Sequence, residues 1–392
     1  MIRRSWAQFA LLVSAAAYLG LSPSTLAAQR PASEDIIWPL PPSQPRIRYV
    51  GSLHSELDVG KKKSLGSRLK RLVLGTRTGM LGLRKPHDVY VDDTSRFYVV
   101  DKARGRVVLF DPKAREGQTF GGEGPGALSG AMGLGGDGRG HLYVADPGNQ
   151  RVVVFAEDGT YVRAMGGPGV LLNPVDVAAD PARDRIYVVD SYLHQVVLFD
   201  PQGELIRRMG KHEGDIPKEP KRAGAVSLGG GHGRGDSDSS EGPPDVIENR
   251  SGETGEFSYP SYADVAEDGT LYVCDALNFR VQAFDPDGNY LFELGRLGDG
   301  PGSFARPKGV AVDSEGHVYV ADAAFNNVQI FDREGRFLLA FGSMGHGEGQ
   351  LWLPQGMHID AEDRLYVVDS YNSRVQIFER MSAAAGANDG GR

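Results

Sequence analysis

Short apolar stretches alternate with polar turns along most of the chain, and they recur in a fixed order. One unit contains the stretches KGVAVD (308–313), HVYVAD (317–322), VQIFD (328–332) and FLLAFG (337–342), separated by SEG, AAFNN and REG. Short β-branched runs bounded by Gly, Asp and Asn are typical of strands joined by hairpins. The pattern therefore predicts four short strands in this unit.

The central hairpin of this unit occurs six times in the sequence. The copies are YVVDKARGRVVLFD, YVADPGNQRVVVFA, YVVDSYLHQVVLFD, YVCDALNFRVQAFD, YVADAAFNNVQIFD and YVVDSYNSRVQIFE. Each contains an aspartate at the same position: Asp101, Asp146, Asp190, Asp275, Asp322 and Asp369. A period of about 45 residues with four strands is the spacing of β-propeller blades. The sequence predicts an all-β fold, a six-bladed β-propeller with four-stranded blades, over residues 47–380.

The two ends of this region complement each other. The sixth unit stops after its third strand at Arg380, and a lone strand, IRYVGS (47–52), precedes the first complete unit. Pairing the two would close the ring and remove two exposed sheet edges. We expect residues 47–52 to form the outer strand of the last blade.

The segment GRLGDGPGSFARPKGVAVDSEGHVYVADAAFNNVQIFD (295–332) resembles the NHL repeat nearly throughout. The resemblance extends over residues 47–380, is closest in blades 4 to 6 and is weakest in blade 2. The stretch IWPLPPSQPRIRYVGSL is similar to the front end of exported bacterial NHL propellers. The resemblance implies a rigid propeller that binds a partner, although a fold alone names no ligand.

Besides a basic insertion at 54–85, four segments depart from the repeat. Residues 1–28 combine Arg3 and Arg4 with a short apolar run and a small-residue exit, which is typical of a secretory signal peptide. An extended Pro-rich lead follows at 29–46. Residues 211–256, rich in Gly, Ser, Pro and charge, are predicted to be a disordered insertion, and 381–392 a flexible tail. The signal predicts a soluble exported protein, periplasmic or extracellular.

Residues 54–85 form a basic insertion that is predicted to be partly helical. Apolar side chains recur at helical spacing in the stretch that begins at Ser64 and ends at Leu74. This helix could contact anionic lipid or an acidic partner, as a peripheral membrane contact. The alternative is a short helix that packs its leucines on the propeller.

Charge and cysteine content remove two classes of function. The net charge is −8, whereas nucleic-acid binders are usually basic. The single cysteine, Cys274, replaces the small apolar residue that precedes the aspartate in the other five copies. We therefore interpret Cys274 as a buried strand residue rather than a nucleophile or metal ligand.

The recurrent aspartate is followed five residues later by arginine in four units. These arginines are Arg106, Arg151, Arg280 and Arg374. Because a guanidinium can bind a carboxylate through two N–H groups, we expect Asp–Arg pairs that stabilise each blade rather than a ring of calcium ligands.

Candidate ligand-binding residues come from the starts of the innermost strands, which meet at a channel mouth. The residue after the proline, or its equivalent, is His87, Met132, Val175, Ser261, Lys308 and Gln355 in the six units. We expect a polar ligand site at one end of the channel, formed by His87, Asp88, Asp176, Lys308, Gln355 and His358.

Two function classes remain open. The first is a monomeric, non-enzymatic binding or scaffold propeller, without cofactor or metal, whose partner is a protein or an envelope polymer. The second is a metal-dependent propeller enzyme, similar to lactonases or peptidylglycine-type lyases. Such a lyase needs three convergent histidines for zinc, and only His87 fits. A calcium-dependent lactonase would rely on Asp88, Asp176, Asp264 and His358.

Overall fold

The computed structural model describes residues 35–40, 43, 46–60, 81–210 and 253–381. The predicted signal peptide, the helix from Ser64 to Leu74, most of the 211–256 insertion and all but the first residue of the tail lie outside these residues. Within the described ranges, no helix is both long and apolar enough to cross a membrane.

Six antiparallel sheets contain all the strands of the described residues. The first of these strands along the chain are β1 (Ile37–Trp38) and β2 (Ile47–Leu53). Blade 1 contains β3 (Pro86–Val91), β4 (Phe97–Asp101), β5 (Arg106–Asp111) and β6 (Glu116–Phe120). Blade 2 contains β7 (Leu134–Gly136), β8 (His141–Asp146), β9 (Arg151–Ala156) and β10 (Tyr161–Gly166). Blade 3 contains β11 (Pro174–Asp180), β12 (Arg185–Asp190), β13 (Gln195–Phe199) and β14 (Leu205–Met209).

The second half of the chain repeats this order. Blade 4 contains β15 (Pro260–Val265), β16 (Leu271–Asp275), β17 (Arg280–Phe284) and β18 (Tyr290–Leu294). Blade 5 contains β19 (Pro307–Val312), β20 (Val318–Asp322), β21 (Asn327–Phe331) and β22 (Phe337–Phe341). Blade 6 contains β23 (Pro354–Ile359), β24 (Arg364–Asp369) and β25 (Arg374–Arg380), followed by β2 and β1. The inner strands contact one another in the order β3, β7, β11, β15, β19, β23 and back to β3, which confirms the six-bladed propeller.

The ring closes where the sequence predicts. Strand β2 pairs antiparallel with β25, with Ile47 opposite Arg380 and Leu53 opposite Val375. The lead adds one unforeseen element, because β1 pairs with β2 and makes the last blade five-stranded. The Trp38 ring packs at a centroid distance of 5.5 Å from Phe341. The chain before the first blade therefore completes the last blade.

The hydrophobic core lies between the blades. Six clusters of buried side chains each join two adjacent blades, because one face of every sheet packs on the facing sheet of its neighbour. Cys274 belongs to the cluster between blades 4 and 5 and has no exposed surface. Burial raises the pKa of its thiol to about 12. The interpretation of Cys274 as a buried strand residue is confirmed.

The six recurrent aspartates are fully buried and fix the chain that enters each blade. Each carboxylate accepts a hydrogen bond from a backbone N–H just before the inner strand, such as Ser258 N–H to Asp275 at 2.6 Å. A buried polar group is stable only when it is hydrogen-bonded in this way. The conserved position of these aspartates within the repeat is therefore explained by blade geometry.

The predicted Asp–Arg pairs form in three of the four units. Their Nε–Oδ2 distances are 3.0 Å for Arg151–Asp146, 3.0 Å for Arg280–Asp275 and 2.7 Å for Arg374–Asp369. The prediction is wrong for Arg106, because Asp101 pairs with Arg104 instead, at 2.9 Å. Arg104 occupies the third position after the aspartate, where those three units have an asparagine that also binds the carboxylate.

Candidate functional site

The inner strands begin with an irregular register. The pairing between the first two strands of blades 1, 3, 4, 5 and 6 shifts just after the leading proline. In a regular strand, consecutive side chains point to opposite faces, and a β-bulge breaks this alternation. Consecutive residues such as His87 and Asp88 therefore both lie at the channel, but in different cavities.

The first cavity, which we call the entry cavity, lies where the inner strands begin and has a volume of about 600 Å³. All six residues that the sequence aligns after the proline line it: His87, Met132, Val175, Ser261, Lys308 and Gln355. Loops that follow the second strands add Lys102, Ser191 and Tyr192, among others. The alignment of the repeats thus located one ring of residues correctly.

Two lysines give the entry cavity a positive charge. Lys102 and Lys308 line the cavity, and none of its lining residues is Asp or Glu. Among the described residues, no carboxylate lies within ion-pair distance of either ammonium group. Burial lowers the pKa of both lysines, and for Lys102 the neighbouring Lys85 and Lys308 lower it further. The cavity therefore offers two uncompensated cations to an anionic group.

Tyr262 closes the channel below the entry cavity. It comes from blade 4 and reaches across the axis to His87 of blade 1, the opposite blade in a ring of six. The Tyr262 hydroxyl lies 2.8 Å from His87 Nδ1 and 3.0 Å from the His87 carbonyl oxygen, to which it can donate. Burial, and then the charges of Lys102 and Lys308, lower the pKa of His87 to about 3. His87 is therefore a neutral imidazole that is held by Tyr262.

The second cavity, which we call the exit cavity, lies beyond Tyr262 and has a volume of about 320 Å³. Its carboxyl groups fasten adjacent blades together. Asp88 Oδ2 accepts the Leu134 N–H of blade 2 at 2.8 Å. Asp176 Oδ2 accepts the Ala263 N–H of blade 4 at 2.9 Å. The two carboxyl groups therefore stabilise the contacts between adjacent blades.

Asp264 and His358 also connect adjacent blades, two residues further along their inner strands than the positions equivalent to Asp88 and Asp176. Asp264 Oδ2 accepts the Val312 N–H of blade 5 at 2.9 Å. His358 Nε2 lies 3.1 Å from the Val91 carbonyl oxygen, which joins blade 6 to blade 1. Burial lowers the pKa of His358 to about 4. His358 therefore acts as a neutral donor that helps to close the ring.

Burial shifts the titration of the channel carboxyls. It raises the pKa of Asp176 to about 7 and that of Asp264 to about 6. For Asp88, burial and then the charge of the hydrogen-bonded Asp176 raise the pKa well above its usual value. Glycine at 356 and at 133 leaves room for this pair, because a Cβ at either position would collide with Asp88 or Asp176. The exit cavity thus holds protonated carboxyls at moderately acidic pH.

The six predicted site residues are divided between the two cavities. His87, Lys308 and Gln355 line the entry cavity, whereas Asp88, Asp176 and His358 line the exit cavity. The sequence reasoning did not single out Lys102, although a signal was present. In blade 1 the start of β3 faces the end of β4, with Pro86 opposite Asp101, so the residue after Asp101 must lie at the entry mouth.

The carboxyls and histidines of the described residues are not arranged as a set of metal ligands. Within the described part of the chain, no three side chains of His, Cys, Asp and Glu are placed to hold one metal ion. Asp88, Asp176 and Asp264 are each committed to backbone N–H groups, and His358 to a carbonyl. The arrangement fits neither the zinc set of a lyase nor the calcium set of a lactonase.

Comparison with known families matches the last two blades. An NHL-repeat family model matches residues 304–331 and 351–378. The protein is a six-bladed β-propeller that contains NHL repeats. No curated protein matches the sequence of this NHL propeller.

Solved structures share the propeller fold at low sequence identity. An auxiliary nutrient binding protein from Bacteroides thetaiotaomicron is 13% identical, with a TM-score of 0.54 over 77% of this chain and 70% of that chain. A catalytically inactive virginiamycin B lyase from Staphylococcus aureus with quinupristin is 11% identical, with a TM-score of 0.50 over 77% and 84%. A gluconolactonase from Xanthomonas campestris is 15% identical, with a TM-score of 0.50 over 76% and 87%. These likenesses to binding proteins and enzymes establish the fold of the NHL propeller and no activity.

Proposed function

We propose that this NHL propeller is an exported, non-enzymatic binding protein that holds a protein or envelope-polymer partner on its entry face. The entry face is the side of the ring at which the inner strands begin. The observation that carries the proposal is the entry cavity, where Lys102 and Lys308 lack a carboxylate partner among the described residues. Partly buried cations without counter-charges are costly, and an acidic group of the partner would compensate them.

The exit cavity and the channel support a binding role in a different way. Tyr262 and His87 close the channel, so a ligand in the entry cavity reaches neither the carboxyls nor His358. Proton transfer between a substrate and those groups would require contact within hydrogen-bond distance. The entry cavity itself contains two ammonium groups and a neutral histidine that is bound to Tyr262. This set is suited to holding an anion.

Capture of a partner from envelope extract tests the proposal. The wild-type protein is immobilised beside the double variant Lys102→Gln/Lys308→Gln and the control Lys113→Gln, which changes an exposed lysine in the hairpin between β5 and β6. Glutamine keeps most of the side-chain volume and removes the charge. We expect the wild type and the control to retain the same component, and the double variant to lose it. Equal retention by all three proteins, with unchanged melting curves, would contradict the proposed site.

A further inference from the structure

Two clusters of aromatic side chains lie on the entry face, on opposite sides of the ring. The first, the Tyr192 cluster, comprises Tyr192, His194 and Tyr259, at the junction of blades 3 and 4. Tyr192 and Tyr259 have ring centroids 6.2 Å apart, and each is 43% exposed. His194 lies edge-on to Tyr259 at 4.7 Å. Both tyrosines also line the entry cavity.

The second, the Tyr371 cluster, comprises His346, Trp352 and Tyr371, where blade 6 meets blade 1. Trp352 and Tyr371 have ring centroids 5.7 Å apart, with their planes inclined by 34°. Tyr371 is 54% exposed, and Lys85 Nζ of blade 1 lies 5.4 Å from its ring centre. Because three of six blades separate the two junctions, the clusters face each other across the channel axis.

The backbone of Tyr259 adopts an unfavourable conformation that places its ring in the Tyr192 cluster. Tyr259 has φ +49°, in the left-handed region that bulky residues rarely adopt. Its backbone N–H donates to His194 Nδ1 at 3.3 Å, which ties it to the cluster. Such a backbone conformation persists only when the surroundings impose it, and Leu353 adopts it at the equivalent position of blade 6. The fold therefore holds an aromatic ring at the cavity rim at an energetic cost.

The lining between the clusters combines neutral hydrogen-bonding groups with the two cations. The neutral polar side chains are Ser129, Asn173, Ser191, Ser261 and Gln355. Hydroxyl and amide groups both donate and accept, as the hydroxyls of a sugar do. Tyrosine and tryptophan present an apolar ring face beside a polar tip, on which the C–H face of a sugar ring can pack. Lys102 and Lys308 add the preference for a negative charge.

The same face is poorly suited to an acidic peptide. A peptide that extends a sheet needs a free strand edge, and the edge strands β6, β10, β14, β18, β22 and β1 lie at the rim of the ring. A peptide helix needs a continuous apolar groove, whereas lysine, serine, asparagine and glutamine side chains interrupt the apolar part of the entry cavity's lining. A flat chain of sugar units requires neither.

From the two clusters, the hydrogen-bonding side chains of the lining and the unpaired lysines, we propose that the entry face binds an acidic polysaccharide. A sugar carboxylate lies at Lys102 and Lys308, and sugar units on either side of it pack against the Tyr192 and Tyr371 clusters. This assignment rests on the proposed function and names the class of partner that the same site takes.

Titration of the purified full chain with defined polymers tests this proposal. The probes are polygalacturonate, in which every sugar has a carboxylate, neutral dextran and poly-glutamate. We expect polygalacturonate to bind and the other two to bind at least about tenfold more weakly, since tenfold corresponds to about 1.4 kcal/mol. Binding should weaken as salt rises, because it depends on charge.

Variants separate the contributions of charge and stacking. Lys102→Gln/Lys308→Gln should weaken polygalacturonate binding at least about tenfold, and Tyr192→Ala or Tyr371→Ala about fivefold each. The matched controls are Lys113→Gln and Tyr161→Ala, which alter an exposed lysine and a partly exposed tyrosine away from the entry cavity. Both controls should bind as the wild type does.

Three outcomes would overturn the assignment. Poly-glutamate binding as tight as that of polygalacturonate, insensitive to the tyrosine variants, would identify an acidic peptide and leave the proposed binding function standing. Failure of every probe, with lysine-dependent capture from envelope extract intact, would refute the polysaccharide alone. Failure of every probe together with lysine-independent capture would refute both proposals.

Discussion

Replacing Asp176 with asparagine tests how the buried carboxyl pair of the channel affects stability. Asp88 and Asp176 are hydrogen-bonded to each other and wholly buried. Burial, the largest cause, and the charge of Asp264 raise the pKa of Asp176 from 3.8 to about 7. Asparagine has the shape of a protonated carboxyl group. Its oxygen can accept from Ala263 N–H while its amide donates to Asp88.

The sign of the pH effect follows from proton binding. The folded protein retains protons that the unfolded chain has lost, so folding becomes less favourable as pH rises. The stabilising contribution of Asp176 is complete below pH 3.8 and is lost as pH rises through about 7. At about 1.4 kcal/mol per pH unit this interval amounts to about 4 kcal/mol. We expect to measure about 2–4 kcal/mol, because Asp88 titrates with Asp176.

Denaturant unfolding at intervals from pH 5 to pH 8.5 measures this dependence. The free energy of unfolding of the wild type should fall across the range, and Asp176→Asn should reduce that fall without abolishing it, because burial also raises the pKa of Asp88 and of Asp264. Asp287→Asn, which neutralises an exposed carboxylate, is the control and should leave the slope unchanged. A wild-type curve without slope, or an Asp176→Asn curve parallel to the wild type, would refute the assignment of raised pKa values to this pair.

Two further predictions concern ring closure and the cysteine. Deleting residues 37–53 should lower the melting temperature by more than about 10 °C. Ile47→Ala alone should lower the free energy of unfolding by about 2–5 kcal/mol, because Ile47 is 2% exposed. Unchanged melting curves would contradict closure through β2. Cys274 should react with a thiol reagent only as fast as the protein unfolds, because its side chain is buried. The Cys274→Ala variant should bind ligand as the wild type does. Rapid labelling of the folded protein would contradict the burial of Cys274.

The fold could be predicted from the sequence because every blade repeats the same short-range sequence pattern. Alternating strands, turn glycines and the recurrent aspartate each act within about 45 residues, which repeat comparison detects. Closure through residues 47–52 followed from counting strands. The strand at Ile37–Trp38 did not, because two residues carry no periodicity and their pairing depends on Trp38 reaching Phe341 and Phe378.

The site was only partly predictable, because side-chain size and reach decide it. The repeat alignment identified the ring of residues that lines the entry cavity. It could not show that Tyr262, at a position where other units have Asp or Gly, spans the axis to His87. Nor could it show that Asp88 and Asp176 point past Tyr262, because strand periodicity does not report a bulge. The pairing of Arg104 with Asp101 was missed because Arg104 stands where three other units have an asparagine.

The closed channel determines where recognition can occur. Its two ends have opposite character, with Lys102 and Lys308 at the entry and Asp88 and Asp176 at the exit. Tyr262 and His87 separate the lysines at the entry from the carboxyls at the exit. The positive charge at the entry therefore remains available to a ligand outside the ring. Because the carboxyls at the exit are satisfied by backbone N–H groups, they stabilise the ring, and binding is left to the entry face.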